Sequence, residues 1–143
     1  MKFYLLGERT NIEIDVLHRN FPDSTDYWDV NWVKSKIKIE IPGYLVCFNA
    51  ELRTDELRDF VNELKLMKRF LQGKASLKNL DSYLQFDCEM DKLGNIMWTG
   101  ETCYPAGDGA VLTFEFASDQ TFLNTLIKEL DETLTIFPVV GKP

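Results

Sequence analysis

The chain has 143 residues, enough for one domain with its own core and no need of disulfide or metal staples. Its 45% hydrophobic and 27% charged residues place it outside the disordered class. With 23 acidic against 16 basic side chains the formal charge is -7, which argues against nucleic acid as a direct partner, since phosphate binding needs a basic surface, and permits a basic protein partner.

The first residues, MKFYLLGERTN, hold a continuous apolar run only from Phe3 to Leu6, too short for a secretory core or a membrane span. A cytoplasmic protein without membrane association is the expectation. Lys2 to Leu6 and Asn11 to His18 predict a first hairpin, with Ile12, Ile14 and Val16 inward and His18 on the same parity. His18 is the only histidine, and Cys47, Cys88 and Cys103 are odd in number without CxxC spacing. Reduced thiols, no metal site, no cofactor and no catalytic residues follow.

Next comes DYWDVNW, Asp26 to Trp32, with three aromatics and two carboxylates in seven residues. A glycosidase holds two carboxylates about 5 to 9 Å apart in a cleft, and Asp26 and Asp29 could supply them. Asp and Asn also cap and close turns, and indole rings most often bury their area, so the segment reads mainly as a packed aromatic approach to the strand that follows.

That strand alternates Val33, Ser35, Ile37, Ile39 and Ile41 with Lys34, Lys36, Lys38 and Glu40. After Pro42-Gly43 the alternation resumes through Tyr44, Val46, Phe48, Ala50 and Leu52, giving a hairpin. The three lysines suggest an exposed or edge strand. From Thr54 to about Leu71, apolar residues recur at helical steps, with Thr54 as N-cap and Gly73 as stop. A second hairpin runs through Leu84, Phe86, Cys88 and Met90, turns at Lys92 to Asn95, and returns through Ile96, Trp98, Gly100 and Thr102. Gly107-Asp108-Gly109 is too short for a phosphate loop and reads as a turn. Ala110 to Phe116 forms a last strand. Ser118 to about Phe137 forms a second amphipathic helix, capped by Ser118 and ended by Pro138. The pattern predicts a single α+β domain over residues 1–143: one antiparallel sheet of six or seven strands with two helices packed on one face.

If the apolar positions face the helices, the other sheet face carries Glu13, Asp15, Glu51, Asp87, Glu89, Glu101 and Glu115, with Tyr83 and Met97 among them. A one-sided antiparallel sheet shows polar residues to water in any case, and such a mixed face also suits a protein interface. A displacement of 66 positions superposes Trp32 on Trp98, Phe48 on Phe114, Leu57 on Leu123 and Glu63-Leu64 on Glu129-Leu130. This echo is read as two amphipathic units meeting the same packing demands, with duplication as the alternative.

The order Asp26-Tyr27-Trp28-Asp29-x-Asn31-Trp32, then Phe48-x-Ala50-x-Leu52-Arg53-x-x-Glu56-Leu57, then Asp119-Gln120-Thr121-Phe122-Leu123 and Phe137-Pro138-Val139, resembles the WapI-like family of small bacterial immunity proteins. The resemblance implies a non-enzymatic protein that binds and occludes the toxic domain of a cognate wall-associated, contact-dependent toxin in the cytoplasm of the producing cell. It carries over no contact residues. A toxin that cuts RNA or DNA must be basic, and an acidic partner is steered to it. The candidate partner-binding residues are Glu51, Tyr83, Asp87, Glu89, Met97, Glu101 and Glu115 on the sheet, with Asp26 and Asp29 in the aromatic segment. The rival reading is a small-molecule or carbohydrate-binding module, or a weak hydrolase, with a cleft lined by Asp26, Trp28 and Asp29.

Overall fold

The computed structural model, which describes residues 1–143, is an α+β protein of eight strands and three helices. β1 (Lys2–Gly7), β2 (Thr10–Arg19), β3 (Trp32–Ile41) and β4 (Tyr44–Arg53) form one antiparallel sheet in that spatial order. β5 (Gly73–Lys78), β6 (Leu84–Met90), β7 (Ile96–Tyr104) and β8 (Ala110–Ser118) form a second. α2 (Thr54–Phe70) follows the first sheet, α3 (Gln120–Ile136) follows the second, and one helical turn, α1 (Tyr27–Val30), interrupts the β2–β3 connection.

The expected single sheet of six or seven strands is therefore two sheets of four. The difference turns on β5, whose sequence GKASLK buries only Ala75 and Leu77 and so leaves too short an alternation to read. With β5 paired to β6, the second half of the chain closes its own meander instead of extending the first.

Each half is four antiparallel strands followed by a helix of 17 residues. Ile37 faces Phe48 across β3 and β4, and Gly100 faces Phe114 across β7 and β8. β4 and β8 thus correspond at an offset of 66 (114 − 48), whereas β3 and β7 correspond at 63 (100 − 37). The difference of three is absorbed in the turns, two residues in one unit (42–43) and five in the other (105–109). The echo, first read as shared packing demands, thus extends to a whole repeated architecture. It is not carried by the tryptophans: Trp98 is buried opposite Phe116, while Trp32 stands half-buried at the start of β3.

The two units interlock. α2 lies along β5 and α3 along β1, so each helix covers the first strand of the other unit. Phe60 of α2 meets Trp98 of β7 edge to face, with ring centres 6.2 Å apart. The β1 and β8 edges meet where Glu8 N–H donates to the Ala117 carbonyl at 2.8 Å and Ser118 Oγ donates to the Leu6 carbonyl at 2.7 Å. Gly7 permits this seam, because a Cβ there would stand 2.3 Å from the Ala117 oxygen. A second seam forms where Asn79 Nδ2 donates to the Glu51 carbonyl at 2.8 Å. The apolar side chains of both units merge into one cluster of 29 buried residues.

Several local expectations shift. Thr54 does not cap α2; its hydroxyl donates to Asn31, and the Glu56 carboxylate accepts from the Arg53 N–H that precedes the helix. Asp119 caps α3, accepting from the amides of Thr121 and Phe122, because Ser118 is engaged at the β1–β8 seam. A bulge between Val16 and His18 reverses the parity of β2 and leaves His18 exposed, not inward. β3 is an inner strand of its sheet, so its lysines lie on an exposed face but not at an edge.

Candidate functional site

The Asp26–Trp32 segment is chiefly a structural hub. The Asp26 carboxylate accepts from the amides of Trp28 and Asp29 at 2.8 and 3.1 Å and so caps α1. Asn31 is fully buried. Its Nδ2 donates to the Tyr27 carbonyl at 2.9 Å and the Val140 carbonyl at 3.0 Å, and its Oδ1 accepts from Val140 N–H at 2.9 Å and Thr54 Oγ1 at 3.0 Å. One amide thereby ties α1, the start of α2 and the C-terminal tail together. Arg19 reinforces the tie by donating to the carbonyls of Val30 and Pro138.

Arg53 is buried beneath the same segment, 2% exposed. Its guanidinium pairs with both oxygens of Asp55, at 3.0 and 3.3 Å, and its centre lies 4.9 Å from the Trp28 ring, 5.1 Å from Trp32 and 5.7 Å from Tyr27. An always-charged, planar cation suits such a stack, and its charge is met by a carboxylate and three π faces. Trp28 is nevertheless 53% exposed, contrary to the packed reading of the segment. Tyr27 and Val30, its neighbours on α1, are buried.

The rival cleft does not form as expected. Trp28 borders a groove of about 690 Å³ shared with Asp55, Asp59, Glu63 and Leu80, but Asp26 and Asp29 do not line it. Glu56, which also lines the groove, has its acidity weakened by burial, against the counter-effect of the Leu80 and Arg53 amides that it accepts from. It is a brace between α2 and the β5–β6 turn.

The proposed sheet face is divided between the two sheets, and the two parts differ in charge. On the first sheet, Asp15 lies opposite Lys36, Glu13 opposite Lys38, and Glu51 opposite Lys34. Cross-strand pairs of this kind cancel charge. In the second sheet the corresponding rows run Asp87, Thr99, Glu115 and Gln85, Glu101, Thr113. Where β3 offers Lys36 and Lys38, β7 offers Thr99 and Glu101. These six residues, with Gly100 and Phe114, enclose a hollow of about 420 Å³ on the open face. Gly100 contributes to the shape, since a Cβ there would meet the Phe114 ring at 2.5 Å.

Five sequence candidates, Asp87, Glu89, Met97, Glu101 and Glu115, therefore share the face of the second sheet. Glu89 has a long contact to Lys74, 3.9 Å, and Asp87 accepts from Ser76 and Gln85. The other four lie elsewhere. Tyr83 is half-buried and stacks with Phe48 and Tyr104, at 6.5 and 6.4 Å, because it precedes β6 at the seam between the sheets; burial raises its phenol pKa. Glu51 is on β4 and accepts from Asn20. Asp26 and Asp29 stand at α1. Sequence reading missed Asp59, Glu63 and Leu80, because the groove that they share with Trp28 exists only where α2 passes beside β5. No group of three or more His, Cys, Asp or Glu side chains is placed to hold a metal ion, and no helix is long and apolar enough to cross a membrane.

Two interlocked units with open sheet faces, one charge-balanced and one acidic, define a small α+β protein whose distinctive chemistry is a surface instead of a cleft. The chain belongs to the immunity protein WapI-like family, which it matches over residues 4–138, nearly its whole length. Membership places it among immunity proteins, whose general partner is a toxin. No curated protein matches the chain.

Proposed function

We propose that this is a non-enzymatic immunity protein that acts in the cytoplasm of the producing cell by binding and occluding the toxic domain of a cognate wall-associated toxin. The outer face of β5–β8 is the contact surface, and the toxin presents a basic surface to it. The observation that carries this reading is the internal comparison between the two units: the same architecture has its acids paired with lysines in one sheet, whereas in the other only Glu89 faces a lysine, Lys74, and Asp87, Glu101 and Glu115 face none. If the face served solubility alone, both sheets could have kept the balanced pattern. Glu101, Glu115 and Asp87 supply charge, Gln85, Thr99 and Thr113 supply adaptable hydrogen bonds, and Met97 supplies an exposed apolar contact. Complementary charge speeds encounter and excludes wrong partners.

The test is co-purification with the C-terminal domain of a wall-associated toxin of the producing strain, sought first in the gene beside this one, together with survival of cells expressing that domain. Wild-type protein is expected to bind and protect. Glu101→Lys with Glu115→Lys is expected to slow association and abolish protection, with the fold intact by circular dichroism. Absence of both binding and protection by the wild-type chain refutes the assignment.

A further inference from the structure

We infer that the groove between α1, α2 and the free edge of β5 is a second docking site, for an Arg- or Lys-bearing segment of the same toxin domain, with the Trp28 indole as its anchor. This rests on the immunity reading and extends it from the sheet face to a surface that reading does not use. Trp28 is 53% exposed yet held in place: its amide is bound by Asp26, its ring lies 4.9 Å from the Arg53 guanidinium, and it packs edge-on against Tyr27 at 5.0 Å. An aromatic already fixed in the free protein loses little freedom on binding, which is why Trp recurs as an interface anchor. Leu80, 69% exposed, also borders the groove.

The charge of the groove selects its occupant. Asp59 and Glu63 stand one turn apart on α2, where i and i+4 side chains are neighbours. The Arg53 cation is spent on Asp55 inside the protein, so Lys78 is the one exposed cation among the lining residues. Asp59 also has Arg58 beside it, at 3.2 Å, in an exposed pair that a partner's guanidinium can displace. The groove is continuous with the acidic sheet face. Ser76 of β5 begins the row that runs through Asp87 and Thr99 to Glu115; its hydroxyl donates to Asp87 and its amide donates to Glu63 at 3.1 Å. One strip therefore runs from β8 across the sheet, over the β5 edge and onto α2, ending at Trp28.

The probe is the catalytically inactivated C-terminal domain of that same toxin, titrated calorimetrically into four forms of the full chain: wild type, Trp28→Ala, Asp59→Asn with Glu63→Gln, and Glu101→Lys with Glu115→Lys. Trp28→Ala is expected to weaken binding at least tenfold, and the Asp59/Glu63 pair several-fold with a shallower salt dependence. Glu63→Gln keeps the oxygen that accepts from Ser76, so this variant serves even if Trp28→Ala fails to fold. Comparing wild type with Trp28→Phe, the Trp28 component of the fluorescence should lose its acrylamide quenching in the complex. Wild-type affinity in both groove variants, with loss only on the sheet face, overturns the groove and leaves the immunity reading standing. Loss in the groove variants with no effect of the sheet variant supports the groove and removes the sheet face. No binding by wild type overturns both.

Discussion

Asn31→Ala tests the claim that the Asp26–Trp32 segment is a hub that fastens the tail to both α1 and α2. Two of the partners it would strand, the Tyr27 carbonyl and the Thr54 hydroxyl, are enclosed, at 2.9 and 3.0 Å from the amide. Leaving a buried polar group unmet costs about 1–3 kcal/mol. The two bonds to Val140 reach a partly exposed residue that can turn to water, so each contributes only about 0.5–1 kcal/mol. The sum is about 3–8 kcal/mol, a large share of the roughly 5–15 kcal/mol typical of a folded domain. Urea denaturation followed by circular dichroism measures it, and hydrogen exchange at the Val140 amide reports whether the tail is released. Asn31→Asp is the companion variant. It keeps the acceptor contacts but turns an oxygen toward the Tyr27 and Val140 carbonyls, with Arg19 at 3.5 Å offsetting part of the cost. As the protonated acid can donate again, its deficit relative to wild type should shrink as pH falls. A loss under about 1 kcal/mol for Asn31→Ala, with an unchanged Val140 exchange rate, would refute the hub.

Other consequences concern the seam, the thiols and the joint folding of the units. Gly7→Ala forces a Cβ toward the Ala117 oxygen and the Phe116 ring, and should lower stability by about 1–3 kcal/mol in a denaturant titration, with faster exchange at the Glu8 amide. Burial pushes the Cys88 thiol up to about 12, so at pH 8 a thiol reagent should modify exposed Cys47 promptly and leave Cys88 untouched until the protein unfolds. Because the folded state holds that proton more tightly, the Cys88 contribution to stability is fully present below pH 9.0 and falls as pH rises toward 12. Cys88→Ala should remove that part of the alkaline slope. Since each helix covers a strand of the other unit, thermal unfolding is expected as one calorimetric transition; two separable transitions would contradict the interlock.

Much of the fold was legible because its signals are local. The alternation from Val33 to Leu52 fixed a hairpin and its buried face, and the helical stripe from Leu57 to Met67 fixed α2, since both patterns depend on residues within a few positions of one another. The stripe was overextended at its C-terminal end, where Leu71 takes a left-handed conformation with φ 53° and stands exposed. β5 escaped notice because two small inward residues carry no strong period. The helix caps moved by one residue because Thr54 and Ser118 have distant partners, Asn31 and Leu6, that no local pattern names.

The site was less legible, for the same reason taken further. Sequence alone determined that Glu13, Asp15, Asp87, Glu101 and Glu115 alternate outward from their strands. Which of them would be neutralised depends on the strand beside each, and pairing joins residues far apart in the chain: Asp15 meets Lys36, whereas Asp87 meets Thr99. The aromatic segment divides in the same way. Its ordered residues carried part of the resemblance to the family, but only the packing of Arg53, Asn31 and the tail decided that Tyr27 goes in and Trp28 stays out, because burial belongs to the assembled layers and not to any seven residues by themselves.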